Sequence, residues 1–212
     1  MAPRTISSTW KHFERLARKI DSANGEDPDM REQLDTLVEK VNASKLVGSL
    51  ASLFVRPYPG MEEVEVAFMC PNGQPYSRSI TFFDAEAQTI RVNPVEVVRF
   101  YRECVEASEK LATPAARKSF FSYRYQAYLS ELSKLPTQYL LFMVLLHEVA
   151  RASRICRVEK KGGEIETPEG ERYMTLLWAF KELEQFYNAN TGMNLRAEFG
   201  ILWHESDWIV GR

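Results

Sequence analysis

Between Tyr139 and Leu146 every side chain of this chain is apolar. A helix that is apolar all round has no face for water and must be buried on every side. The rest of the chain therefore has to surround this one segment, and 212 residues are enough to do so. Pro136 suits a first helical turn and Thr137 a cap region. The apolar run ends abruptly at His147-Glu148. Both groups are costly to desolvate unless they are paired or liganded.

The elements around that helix follow from periodicity. Trp10, Phe13, Leu16, Ala17 and Ile20 predict an amphipathic helix over 7–22. Asp27-Pro28 opens a second, with Met30, Leu34, Leu37, Val38 and Val41 as its buried stripe, and a third runs over 43–55. After Arg56-Pro57-Tyr58-Pro59-Gly60 the period drops to two. Three strands are predicted, ending near Cys70, Phe83 and Asn93, joined as an antiparallel meander with a hairpin loop at 71–75. From Val95 the pattern is helical again. Helices are expected to about Ala112, over 114–133, through the buried run, and over 171–190, with a polar loop at 158–170. The apolar tail is expected to pack back as a short helix. The fold class expected is α+β and predominantly α-helical, with one small antiparallel sheet of about three strands. It reads as a single domain over 1–212: a helical subregion at 1–55, the β-meander at 61–93 and a helical core at 94–212.

Composition narrows the function. The net charge of −2 gives no global attraction to nucleic acid or anionic membranes. Cys70, Cys104 and Cys156 are scattered and odd in number, which reads as reduced and cytoplasmic. The first residues run into Lys11-His12-Phe13-Glu14-Arg15, which is no signal peptide, and no apolar run approaches the ~20 residues of a membrane helix. Arg117, Lys118 and Arg124 interleave with Phe120, Phe121, Tyr123 and Tyr125. Such a mixture can bind single strands by stacking, but it more commonly marks a packing stripe with a wet cationic face, and nucleic acid is not expected as a partner.

An apolar helix ending in His147-Glu148-Val149-Ala150-Arg151 resembles the H-E-x-x-H helix of zincin metallopeptidases. The order of elements, a small sheet with an edge-type strand, a buried His-Glu helix and a later acidic helix, resembles the glutamate-ligand branch of that class. The resemblance implies His147 as a zinc ligand, Glu148 as the catalytic base, and Glu182 as the later ligand, with Glu184 equivalent on spacing. Arg151 stands where the second histidine belongs, and a guanidinium cannot ligate a cation. It is expected instead to replace the metal by pairing with Glu148 and with Glu182 or Glu184. The reading is then a zincin-like protein with a degenerate motif, catalytically inactive, without a metal cofactor, acting by binding another protein.

Two alternatives remain at this point. His147-Glu148 is, in the first, merely where a buried helix reaches water, with Glu148 and Arg151 as surface neighbours worth tenths of a kcal/mol. The protein is then a helical interaction or structural module without a site. The second is an active metal-dependent hydrolase with an unconventional ligand set, for which His204-Glu205 is the candidate pair. His12 lies on the polar side of its helix and is expected to be solvated.

Overall fold

The computed structural model describes residues 2–23, 27–69, 79–111, 120–153 and 168–202. The chain runs α1 (Ala2–Ser22), α2 (Pro28–Asn42), α3 (Lys45–Phe54), β1 (Glu65–Phe68), β2 (Thr81–Asp84), β3 (Thr89–Val92), α4 (Pro94–Leu111), α5 (Phe120–Leu132), α6 (Thr137–Ala152), α7 (Pro168–Thr191) and α8 (Leu195–Phe199). It is mostly helical with one small sheet, as the periodicities require.

Local chemistry sets most of the boundaries. Asp27 caps α2 by accepting from the Met30 N–H, and Pro28 fills the first turn where no N–H is needed. Ser44 caps α3 through the Leu46 N–H. Asn93 accepts from the Val95 and Glu96 N–H groups at the head of α4. Asn194 caps α8, and Gly200, at φ 63°, ends it in the left-handed conformation glycine adopts without strain. The start of α6 differs from expectation. Pro136 stands at the cap position without a side-chain bond, and the Thr137 hydroxyl donates to Glu14 of α1 at 3.0 Å.

The sheet is mixed rather than an antiparallel meander. Its order is β1-β3-β2, with β1 parallel and β2 antiparallel to β3. β1 and β2 therefore do not pair and form the two edges of the sheet. The hairpin expected at 71–75 lies outside the described residues. The reason is burial: Ile90 and Val92 are the most enclosed strand positions, so β3 takes the centre. Val66 and Phe68 flank them on one side, Phe83 and Thr81 on the other. Thr81 is the polar member of this inner face, and it is buried.

The core is one connected cluster from Ile6 to Ile201. At its centre lies α6, packed against α7, α4, α1 and α3 and against β2 and β3. Phe142 stacks on Phe54 of α3 at 4.4 Å, and Phe54 in turn meets Phe186 of α7 at 4.7 Å. This is the enclosure that eight consecutive apolar residues demand. Among the described residues no helix is long and apolar enough to cross a membrane.

Two further boundaries differ from the sequence reading. Residues 168–170, expected in a loop, form the first turn of α7, because Pro168 suits a helix start. The tail packs back at 195–199 as expected, whereas Trp203, His204-Glu205, Trp208 and Ile209 lie outside the described residues, as do Arg117, Lys118, Cys70 and Cys156.

Candidate functional site

The candidate site is at the C-terminal end of α6, where the buried helix meets the edge strand β2 and the beginning of α7. Glu148 is buried, its side chain 5% exposed. Its Oε2 accepts from Thr81 Oγ1 at 3.0 Å and from Arg151 Nη1 at 3.2 Å. A buried carboxylate persists only when its charge is met by donors. Here one donor comes from the sheet and one from the next turn of the same helix. Arg151 itself is 52% exposed, so its far side is in water.

His147 lies one step round the helix from Glu148. Its ring is largely enclosed, and Nδ1 has no hydrogen-bond partner among the described residues. Burial, then the guanidiniums of Arg151 and Arg172, push its pKa down to about 3. The imidazole is therefore neutral near pH 7. It borders a cavity of about 190 Å³ that also touches Thr81, Phe100, Arg151, Arg172 and Leu176.

The α7 residue that reaches this end of α6 is Arg172, which the sequence reading did not single out. Its Nη2 donates to Glu103 of α4 at 3.3 Å, and its guanidinium lies 5.5 Å from the Phe100 ring centre. Arg172 and Leu176 are four residues apart and so share a helix face. Tyr128 of α5 fixes that turn by donating to the Leu176 carbonyl at 2.8 Å.

Glu182 and Glu184, the expected third-ligand candidates, are elsewhere. Tyr58 donates to Glu182 Oε2 at 2.8 Å, and burial together with this carboxylate raises the tyrosine pKa. Glu184 holds Arg196 of α8 by two bonds of 2.7 and 3.0 Å. Neither glutamate pairs with Arg151, and the expected network among them is corrected to Glu148–Arg151 alone. The cause is helix register. α6 and α7 run antiparallel, with Tyr139 against Tyr187 at 5.6 Å at one end and His147 beside Arg172 and Leu176 at the other. Positions 182 and 184 consequently fall opposite the apolar middle of α6, roughly 15 Å along the axis from Arg172.

Among the described residues no group of three His, Cys, Asp or Glu side chains could hold a metal ion. The other sequence candidates also find places. His12 is exposed on α1. Cys104 is a buried thiol whose pKa burial raises, which disfavours the reactive thiolate. Tyr125 and Tyr128 pack edge-on against Tyr173, leaving Tyr123 as the exposed ring of the three. Tyr125, one of the rings weighed as a stacking surface, is thus a packing contact. A hollow of about 640 Å³ follows α1 and α2, but its charges, among them Arg15, Asp29, Glu32 and Lys40, are mixed and converge on no point.

Thr81 and Arg172 complete the site, and neither was visible beforehand. Thr81 carried a signal in principle, as the polar residue on an otherwise apolar strand face. Arg172 carried none, because its partner across the helix pair is fixed by register. Compared with known proteins, the chain matches no protein-family model, no curated protein and no solved structure.

Proposed function

We propose that this protein is a zincin-like scaffold that has lost its hydrolytic chemistry and acts by binding another protein. One observation carries the reading: both guanidiniums around His147, those of Arg151 and Arg172, border the cavity in which a divalent cation would need ligands. Two fixed positive charges oppose a third, and neither can coordinate it. The retained elements support the scaffold half of the reading. The His-Glu pair sits at the end of a buried helix, beside an antiparallel edge strand, with a later helix packed antiparallel along it. On this reading Glu148 serves its contacts with Thr81 and Arg151 rather than activating a water, and the protein works by recognition through its surface.

The test is metal content and peptidase activity of protein purified without chelator or nickel. Native protein is expected to hold no stoichiometric zinc. The double variant Arg151→His, Arg172→Glu supplies a second imidazole and a carboxylate at the two cationic positions and is expected to take up zinc. Stoichiometric zinc in the native protein, or peptide hydrolysis lost on Glu148→Gln, would overturn the reading.

A second reading has its own support. Glu148 joins α6 to β2 through Thr81, which is a sufficient structural reason for a carboxylate there. On that reading the protein is an interaction module without a site, and the double variant takes up no zinc.

A further inference from the structure

The recess beside His147 has features that neither a lost metal site nor a helix end accounts for. Its walls combine two guanidiniums, a hydroxyl and an imidazole around about 190 Å³. Room of this size holds only a few water molecules or one small polar group. We propose that it binds a small oxyanion, a carboxylate or a phosphate group.

Donor chemistry supports this choice over a cation or an apolar ligand. A guanidinium carries several N–H groups in a planar fork suited to oxyanions. Arg151 directs one bond to Glu148, and Arg172 directs one to Glu103. Among the described residues the remaining N–H groups on each are open to a ligand. The His147 ring, neutral and with its Nδ1 unpartnered among the described residues, offers a further donor or acceptor. Ser79 adds a residue with a hydroxyl at the rim.

The neighbouring carboxylates do not cancel this preference. Glu148 has one oxygen already engaged by Thr81 and Arg151. Glu103 is 40% exposed and meets Arg172 at 3.3 Å, a pair an incoming anion can displace. At the imidazole both guanidiniums oppose a proton. A negative ligand there meets the opposite field.

The inference does not depend on the scaffold reading, and its first test needs no variant. Inorganic phosphate and acetate are titrated separately into the full chain, with chloride holding the ionic strength constant. The imidazole nitrogen shifts of His147 are followed, with exposed His12 as the internal control. A saturable shift at His147 and none at His12, for phosphate, acetate or both, is the expected result. Which anion saturates decides between a phosphate and a carboxylate source. Arg172→Gln, at a side chain 37% exposed, is expected to weaken binding at least about tenfold with helicity unchanged. The proposal fails if neither anion shifts His147 beyond chloride. It fails equally if Arg172→Gln and Arg151→Gln both bind as the native protein does.

Discussion

Thr81 of the edge strand donates to Glu148 of the central helix across 3.0 Å, joining two elements 67 residues apart in sequence. The bond is made out of water, between a buried hydroxyl and a buried carboxylate. Losing the hydroxyl leaves that oxygen with Arg151 alone, and under-satisfied buried charge is costly. Thr81→Val is therefore expected to destabilise the protein by about 1–3 kcal/mol. Urea denaturation measures it. A double-mutant cycle with Glu148→Gln isolates the pair, and additive single effects would show that the bond carries no coupling energy.

Acid sensitivity should trace to His147. Its pKa is about 3 in the fold against 6.5 unperturbed. In that window the unfolded chain binds a proton at this site that the folded chain does not. Stability is thus full above the unfolded pKa and falls as pH drops, by up to about 1.4 kcal/mol per pH unit from this group. His147→Gln removes this contribution while Glu148, Arg151 and Arg172 stay in place. Urea midpoints compared between about pH 6.5 and about pH 5 should fall less steeply in the variant. Parallel curves for the two proteins would mean that His147 does not titrate below its ordinary value.

Docking of α8 rests on Arg196. Its two bonds to Glu184 are part-buried, with side chains 17% and 18% exposed, and its guanidinium lies 5.0 Å from the Phe180 ring centre. Arg196→Ala is expected to cost about 1–2 kcal/mol, between an exposed pair and a buried charged hydrogen bond. Hydrogen exchange at 195–199 should rise before the rest of the molecule opens. The charge-swapped pair Glu184→Arg, Arg196→Glu should recover part of the loss, and a swap worse than either single change would argue against an ion pair.

Phe54 joins three helices by contacting Phe142 and Phe186, and it is 1% exposed. Phe54→Ala should cost about 3–5 kcal/mol, the sum of lost burial and an unfilled cavity. Phe54→Leu should recover most of it. A small effect of the alanine variant on thermal unfolding would mean that the three helices close over the gap.

Much of the architecture was legible from local pattern. The stripes of α1 and α2 have period 3.6, and the caps of α2, α3 and α4 at Asp27, Ser44 and Asn93 are short-range chemistry. The three strands also showed their period of two. Their pairing did not, because an alternating strand fits a parallel or an antiparallel neighbour equally well. Only the concentration of burial on Ile90 and Val92 places β3 in the centre. At the candidate site, His147, Glu148 and Arg151 are neighbours along one helix, and the Glu148–Arg151 pair follows from their spacing.

By itself the sequence determined that Tyr139–Leu146 would be a buried helix, since eight apolar residues leave no side for water. It also determined that a polar cluster would stand where that helix ends. The tertiary structure alone decided which residues join the cluster. The antiparallel register of α6 and α7 brings Arg172 to His147 and sends Glu182 to Tyr58 and Glu184 to Arg196. Spacing within one helix fixes which residues share a face, but how far one helix slides along another is set by packing of the whole core, and no local pattern encodes it.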